Sequence, residues 1–423
     1  MAKLEIEIQT RKMLKPSTPT PNHLRILRLS LLDQLSPRMY VPILFHYLPT
    51  SGSEGITTAC AKLQNSLAET LTKFYPLAGR FREDEFSVHC NDEGVEYVET
   101  KVVNADLAEF LHQGTKNTEL LNDLLPEIDD QRPSSPLLGV QVNLFHCGGV
   151  VIGIQISHTI ADAFTLASFV KEWAHVCQTG TLKAGCLLSF GQLHSLFPAT
   201  ATQLPSPPNN TTGGPKFVTR RFVFDALAIA NLKNTIKDSR PTRVVVVLSL
   251  IWKVLAGISS RDSCLFVPIN MREKSSIPSL EYALGNYVTV GVAHLEAGKE
   301  MNDLVGKTIR DTCLLIGKAA SVDDISSLVV SNWTKYVDKF HQGDKMDIYP
   351  CTSWCRLPWY EADFGWGRPS WVSSVSGDIH EVISLFDTKS GDGIEAWVTL
   401  KENVMAEFES NPHILTFCPP LPK

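Results

Sequence analysis

Apolar residues recur along this chain at two different spacings, and each spacing predicts its own kind of element. Residues 63–74 carry large apolar side chains every three or four positions, which predicts an amphipathic helix that ends before Pro76. Residues 4–8 alternate apolar and charged side chains, which predicts an opening strand with its three apolar residues on one face.

The middle of the first half predicts a hairpin followed by a helix. Residues 141–157 are rich in β-branched side chains around a Gly-Gly pair, which indicates two strands, the second of them buried. Residues 161–177 then place apolar side chains at helical spacing. His158 is therefore predicted to lie where a buried strand gives way to a helix.

The second half begins with an ambiguous apolar run. Residues 244–255 are apolar almost throughout, so they fit either a strand or a helix. We favour a helix because the apolar pattern continues past the β-branched residues into the Trp252-Lys253 pair.

A proline- and glycine-rich tract separates the two halves. Residues 203–215 read QLPSPPNNTTGGP, a composition that forms no regular element. We therefore predict an exposed crossover between an N-terminal domain, residues 1–202, and a C-terminal domain, residues 216–423. The mixture of strands and helices predicts the α/β class, with mixed sheets and helices in both domains.

Composition and charge exclude several classes of protein. Of the 423 residues, 43% are hydrophobic and 20% charged, with a formal net charge of -6. This is a globular balance with no basic stripe, so we expect no nucleic-acid partner. The longest apolar runs are far shorter than the roughly 20 residues of a membrane helix, and the first residues have no apolar signal-peptide region. We expect a cytoplasmic protein that does not enter a membrane.

The ten cysteines are scattered and contain no Cys-x-x-Cys pair. Cys351 and Cys355 are the nearest to each other, but no second pair accompanies them, so the indication of a zinc site is weak. We expect buried, reduced thiols and no metal.

His158 and Asp162 form a His-x-x-x-Asp segment, HTIAD. Imidazole titrates near neutral pH and can accept a proton from a nucleophile. If the segment is a helical turn, both side chains share a face; if it is irregular, Asp162 holds the loop in shape instead. On spacing alone, a core histidine bonded to the backbone is the better interpretation, because twelve histidines give a fair chance of one such pair by accident.

A second unusual segment spans residues 349–369 and contains the core Asp-Phe-Gly-Trp-Gly. Glycines around an aromatic residue indicate a specified backbone path, although a packed core loop has the same composition. A kinase would also need a glycine-rich loop, a Val-Ala-Ile-Lys strand and a His-Arg-Asp loop, which are absent. The chain also lacks the Gly-x-Ser-x-Gly elbow of serine hydrolases and the glycine-rich nucleotide motifs.

Taken together, the motifs resemble the BAHD acyltransferase family of plants, most closely its alkaloid-acylating, vinorine synthase-like branch. The matching segments are LSLLDQL (29–35), FYPLAGRF (74–81), HTIAD (158–162), VPINMREK (267–274), LGNYV (284–288) and DFGWGRP (363–369). One position departs from the family pattern, because Ala163 stands where the family usually has Gly after the Asp. Ala is the better helix former, so the departure affects local backbone geometry more than chemistry.

The resemblance implies two chloramphenicol acetyltransferase-like domains with an active-site channel at their interface. It implies direct transfer of an acyl group from acyl-CoA, a co-substrate and not a bound cofactor, to a small-molecule acceptor. His158 would act as general base. We expect Asp162 to support the site by pairing with Arg272, because a buried carboxylate needs such a partner.

The resemblance also suggests roles for residues of the C-terminal half. Thr352 and Trp354 are the candidate oxyanion donors, and Asp363, which the family pattern includes among its catalytic residues, we expect to be mainly structural. Ser249 and Lys253 are candidates for binding CoA, although a solvated surface lysine is an equally good interpretation of Lys253.

Substrate identity is less defined. We favour an acetyl donor because no cation suited to a malonyl group can be placed, and alkaloid, terpenoid and phenolic acceptors all fit, with O- or N-acylation. We expect a monomer. Two alternatives are a catalytically silent family member that acts as a binding or scaffold protein, and a related enzyme whose product gains no acyl group.

Overall fold

The structure is a computed structural model. It describes residues 3–49, 56–114, 118–129, 132, 134–185, 188–200, 216–235, 241–342, 345–375 and 381–419.

The strands of the described residues are numbered in chain order. They are β1 Ile6–Leu14, β2 Ile26–Arg28, β3 Tyr40–Tyr47, β4 Arg80–Arg82, β5 Ser87–His89, β6 Val95–Val102, β7 Leu138–Phe145, β8 Val150–Ser157, β9 Phe217–Phe224, β10 Ser263–Asn270, β11 Val288–Leu295, β12 Asp347–Ser353, β13 Trp371–Ser373, β14 Val382–Asp387 and β15 Ile394–Lys401.

The α-helices are numbered in the same way. They are α1 Leu31–Gln34, α2 Ile56–Lys73, α3 Leu107–Gly114, α4 Ala163–Thr179, α5 Gln192–Leu196, α6 Ala226–Asn234, α7 Arg243–Ser259, α8 Leu304–Lys318, α9 Val322–Phe340, α10 Glu402–Glu409 and α11 Pro412–Phe417. Short 3-10 helices occur at Asn22–Leu24, Tyr75–Ala78, Thr118–Leu124, Leu280–Tyr282 and Trp359–Glu361.

The chain forms two compact units. The first consists of Met1–Thr200, Tyr282–Tyr287 and Leu357–Val375, and the second of Ala201–Glu281, Val288–Arg356 and Ser376–Lys423.

The first unit is built on a mixed sheet whose strand order, within the described residues, is β1-β6-β7-β8-β3-β13. Strands β6 and β7 are parallel, and the other neighbours are antiparallel. The predicted hairpin is confirmed as β7 and β8. The predicted opening strand is also confirmed, but it is an edge strand with a bulge after Ile8, and Ile8 is 59% exposed.

Two long helices pack together in the first unit. The predicted helix over 63–74 is confirmed as α2, whose apolar face is buried, and Pro76 lies in the 3-10 turn that follows it. On α4, Trp173 donates its indole N–H to the carbonyl of Leu63 at 3.2 Å and to the hydroxyl of Ser66 at 3.1 Å. These contacts hold α4, and therefore the strand end before it, to a rigid layer.

The second unit has a mixed sheet with the order β11-β10-β12-β14-β15-β9 among the described strands. Its core collects apolar residues from the sheet and from α7. Residues 244–255 are confirmed as helical, within α7, whose N-cap is Thr242. Helix rather than strand is favoured there because the run is long, capped and buried around most of its circumference.

The predicted division of the chain differs from the observed units at two functionally relevant places. Tyr282–Tyr287 falls in the predicted C-terminal domain but belongs to the first unit. The Asp-Phe-Gly-Trp-Gly segment is also predicted in the C-terminal domain, whereas Leu357–Val375 belongs to the first unit. The reason is strand pairing, because β13 adds to the edge of β3, and Tyr47 on β3 donates its hydroxyl hydrogen to the carbonyl of Ala362 at 2.7 Å. The predicted crossover, residues 203–215, lies outside the described residues.

None of the helices in the described part of the chain combines the length and the apolar character that crossing a membrane requires.

Candidate active site

His158 is the first residue after β8, at the position that the sequence predicts. Its backbone N–H donates to the carbonyl of Met39 at 2.8 Å, and the neighbouring Ser157 N–H donates to Leu137 at 2.8 Å. The backbone is thus held on both sides of the strand end. The His158 side chain itself is half-buried, so a fixed backbone carries a ring that is open to a reactant.

Asp162 caps the helix that follows. Its carboxylate accepts from the Thr165 N–H at 2.9 Å and from the Tyr287 N–H at 3.2 Å, with extended backbone angles typical of an N-cap. Of the two alternatives for residues 158–162, the irregular turn is therefore the one observed, and not the helical turn. Ala163 is the first residue of α4, where a good helix former is accommodated without strain.

The His158 ring is oriented by a residue that the sequence motif did not identify. Nδ1 of His158 lies 3.0 Å from Oδ1 of Asn286, and Nδ2 of Asn286 donates to the carbonyl oxygen of His158 at 2.8 Å. Asn286 is fully buried. It follows the Gly285 backbone at φ 118°, which only glycine adopts readily. The Gly-Asn pair lies in LGNYV, one of the segments that carry the family resemblance, but no local pattern links it to His158.

This hydrogen bond decides which tautomer His158 adopts. The amide oxygen of Asn286 can only accept, so Nδ1 of the neutral imidazole must carry the proton. Nε2 then keeps its lone pair and is available to take a proton. The geometry selects the base-competent tautomer.

Asp363 organises its own loop. Its Oδ1 accepts from the N–H groups of Gly365 at 2.8 Å and Gly367 at 2.9 Å, and both glycines have positive φ. Phe364, which directly follows Asp363, packs edge-on against Trp173 of α4, with ring centroids 4.7 Å apart. The Asp363 carboxylate therefore binds backbone N–H groups of its own loop, and this loop belongs to the unit that also contains His158.

The two candidate oxyanion donors are bonded to each other in the second unit. The indole N–H of Trp354 donates to Oγ1 of Thr352 at 3.1 Å, and the Trp354 backbone N–H donates to Leu385 at 2.8 Å. Because the Thr352 oxygen is the acceptor of that bond, its hydroxyl hydrogen can still be donated.

The other predicted residues also lie in the second unit. Arg272, which follows β10 and is buried, donates its backbone N–H and Nη1 to Oδ1 of Asn270 at 3.1 and 3.2 Å. Ser249 is half-buried and Lys253 exposed, one turn apart on α7. The pairing of Asp162 with Arg272 and the CoA contacts of α7 stay predictions.

Cys351 and Cys355, both in the second unit, are thiols with raised pKa values. Burial raises the pKa of the Cys355 thiol to about 12 and raises that of Cys351 further, which disfavours the thiolate that a metal needs. Among the described residues, His, Cys, Asp and Glu form no cluster of three or more that could hold a metal ion.

Known proteins are similar to this chain both in sequence and in the arrangement of strands and helices. The profile of the Transferase family matches residues 4–415. The chain belongs to the BAHD Transferase family. Its predicted class, an acyltransferase, is confirmed.

Two plant relatives and one solved structure show how similar this family member is to known enzymes. Acetyl-CoA-benzylalcohol acetyltransferase of Clarkia breweri is 34% identical over 440 residues, which cover 98% of this chain and 100% of the relative. Stemmadenine O-acetyltransferase of Catharanthus roseus is 31% identical, over 96% of this chain and 97% of the relative. The crystal structure of vinorine synthase matches with a TM-score of 0.81 and 29% identity, over 98% of both chains. The predicted two-domain α/β fold and the vinorine synthase-like resemblance are confirmed.

Proposed function

We propose that this BAHD transferase moves the acyl group of an acyl-CoA thioester directly to a hydroxyl group of a small plant metabolite, with His158 as general base. The observation that carries the proposal is the 3.0 Å contact between Nδ1 of His158 and Oδ1 of Asn286. It leaves the Nε2 lone pair free on a half-buried ring, as a base must have it.

In the first step, Nε2 of His158 takes the proton of the acceptor hydroxyl as the acceptor oxygen attacks the thioester carbonyl carbon. A new carbon–oxygen bond forms, and the carbonyl π electrons move to the oxygen, which becomes an oxyanion. The imidazolium that results stays oriented, because protonation leaves the Nδ1–H bond to Asn286 in place.

In the second step, the oxyanion collapses and the carbon–sulfur bond breaks. The departing thiolate takes the proton from Nε2, so the products are the acylated metabolite and CoA with a free thiol, and His158 returns to its neutral form. The Thr352 hydroxyl is our candidate donor to the oxyanion, oriented by the indole of Trp354. Such a donor is worth about 3–4 kcal/mol of transition-state stabilisation.

Supporting roles go to the remaining predicted residues. Asp162 caps α4 and, paired with Arg272, would keep the segment after His158 in shape. Ser249 and Lys253, on one face of α7, would contact CoA, the serine as a neutral donor and the lysine as a cation for phosphate. Asp363 acts on the site only by shaping its loop.

The acyl group is acetyl in this proposal, and the bond formed is an ester. Two relatives with different acceptors, benzyl alcohol and stemmadenine, share the acetyl group in their names. An alkaloid is the acceptor class that we favour, because the sequence motifs are most similar to the vinorine synthase-like branch and vinorine synthase matches this fold with a TM-score of 0.81. We further propose that the protein works as a cytoplasmic monomer. Its buried thiols, such as Cys90, whose pKa burial raises to about 12, suit a reducing compartment.

The experiment that tests this function is a donor and acceptor screen. The purified chain is incubated with acetyl-CoA or malonyl-CoA and a panel of alkaloid, terpenoid and phenolic alcohols, and products are followed by mass spectrometry and a thiol assay. We expect acetylated product and free CoA thiol in equal amounts, with acetyl-CoA preferred. Thiol release without added acyl mass, or binding without turnover across the panel, would contradict acyl transfer.

A further inference from the structure

A buried carboxylate contacts Asn286, the residue that orients the His158 ring. Asp33, in the short helix α1, is only 5% exposed. Its Oδ1 accepts from the backbone N–H of Asn286 at 3.0 Å and from Nδ2 of the same residue at 2.9 Å. Its Oδ2 accepts from the N–H of Ser30 at 2.9 Å and from the Ser30 hydroxyl at 2.6 Å. With donors on both oxygens, the site accommodates a carboxylate rather than an amide.

Capping alone does not explain this burial. Ser30 and Asp33 form a capping box on α1, but Ser321 and Asp324 form the same box on α9 with an exposed aspartate. A capping carboxylate can therefore stay in solvent in this protein. Burial costs free energy and raises the pKa of Asp33, while the bonds from Ser30 and Asn286 lower it again. Asp33 differs from Asp324 in that its second oxygen accepts from a distant residue, Asn286, whereas Asp324 accepts from the N–H groups of its own neighbours in sequence.

We infer that Asp33 is a positioning residue for catalysis, which sets the His158 tautomer by fixing the orientation of the Asn286 amide. Nδ2 of Asn286 has two hydrogens, and one goes to Asp33 while the other goes to the His158 carbonyl. If the amide rotated by 180°, its oxygen would face both of these acceptors. The nitrogen would then face Nδ1 of His158 and favour the tautomer protonated on Nε2, which has no lone pair for the acceptor proton.

The inference rests on the proposed role of His158 and gives Asp33 no contact with substrate. It predicts that the charge of Asp33 acts over two hydrogen bonds, from carboxylate to amide to imidazole. In Asp33→Asn the residue at position 33 can present an NH₂ group toward Asn286, so the rotated amide is no longer opposed by two acceptors. A capping aspartate that has no hydrogen bond to Asn286, such as Asp324, is expected to have no effect on the His158 tautomer.

The test compares Asp33→Asn with Asp324→Asn, which removes the aspartate of the matched box on α9. We expect both to fold and to lose some thermal stability. Only Asp33→Asn should lower kcat, by about 10-fold or more, with the KM for acetyl-CoA within about two-fold of the wild type, because orientation of the base is lost and not CoA binding.

Nitrogen NMR of protein labelled at histidine supplies the readout that a merely structural role would not move. At about pH 8, where an ordinary imidazole is neutral, His158 should show the Nδ1–H form in the wild type and in Asp324→Asn, and the Nε2–H form in Asp33→Asn. A folded Asp33→Asn with normal kcat and an unchanged tautomer would overturn the inference. An Nε2–H form of His158 in the wild type would also overturn it, and this measurement does not depend on the folding of any variant. Retained turnover in His158→Ala would instead reject the proposed function.

Discussion

The two nitrogens of the His158 ring face different environments, and that difference carries the chemistry. Nδ1 is engaged by Asn286, so the proton of the neutral ring is held there and Nε2 remains a base. Asp162, the residue that the motif pairs with His158, instead accepts from the backbone N–H of Thr165 in the first turn of α4 and from that of Tyr287. The HTIAD motif therefore identifies His158 as the proposed base, whereas the contact with Asn286 shows how the His158 ring is oriented.

The prediction for single residues concerns Thr352. Thr352→Val removes the hydroxyl at nearly constant volume and leaves the Trp354 indole without this acceptor. We expect kcat for acyl transfer to fall about 10²- to 10³-fold, as for loss of an oxyanion donor. Thr352→Ser, which keeps the hydroxyl, should stay within about five-fold of the wild type. Steady-state kinetics with acetyl-CoA measures both, and wild-type kcat in a folded Thr352→Val would exclude Thr352 as the donor.

How far the site could be predicted depends on the distance along the chain. The position of His158 at the end of a buried strand follows from a local pattern, whereas its role as base is predicted from the resemblance to a family and not from the HTIAD spacing alone. Asn286 does not follow from a local pattern, because its contact with His158 joins segments far apart in sequence and depends on the backbone at Gly285. The same holds for Asp33, whose local pattern, Ser-x-x-Asp, is that of any capping box.

At the scale of elements, local patterns predicted most of the core. The strands around His158, the helix over 63–74 and the helical form of residues 244–255 all follow from apolar spacing. The edge position of β1 does not, because Ile8 continues the alternation and yet lies exposed just before a bulge. Periodicity identifies an element but not its neighbours.

The loop around Asp363 provides the prediction for an element. If its carboxylate acts only by accepting from Gly365 and Gly367, Asp363→Asn can still accept through its amide oxygen and should keep most activity. Asp363→Ala loses both bonds, and we expect about 1–3 kcal/mol lower stability with a parallel loss of activity. Thermal melts and kcat measured side by side check this. If Asn and Ala were equally inactive while both were fully folded, Asp363 would have a chemical role after all.

For the whole molecule, the two units are not two halves of the sequence. Tyr282–Tyr287, which contains Asn286, and Leu357–Val375 both belong to the first unit. Ser189 holds the former, accepting from the N–H of Leu284 at 2.9 Å. The division at a proline-rich tract could not reveal this, because strand pairing between β3 and β13 leaves no mark in the composition of either segment.

The stability of the whole molecule is expected to fall in acid, and His46 is one group responsible for this. Burial against Trp371 lowers the pKa of His46 to about 3, whereas the unfolded imidazole titrates near 6.5. Between these values only the unfolded state binds the proton, so this contribution to stability is complete above about pH 6.5 and is lost as pH falls. We expect the unfolding free energy to drop by about 2 kcal/mol from pH 7 to pH 5 through this group.

Urea denaturation at the two pH values measures the effect. His46→Gln should show a smaller loss than the wild type, whereas His413→Gln, at an exposed histidine, should match the wild type. Equal losses in wild type and His46→Gln would mean that His46 is not the group responsible.

The most direct measurement for the account as a whole is the turnover of His158→Ala. Acyl transfer from acetyl-CoA to the best acceptor of the screen is compared with that of the wild type and of His413→Ala. With the base removed, we expect kcat to fall by about 10²- to 10⁴-fold while circular dichroism and the melting temperature stay close to wild type, and His413→Ala to be unaffected. A folded His158→Ala that acylates the acceptor at near wild-type rate would contradict the central claim that His158 is the general base.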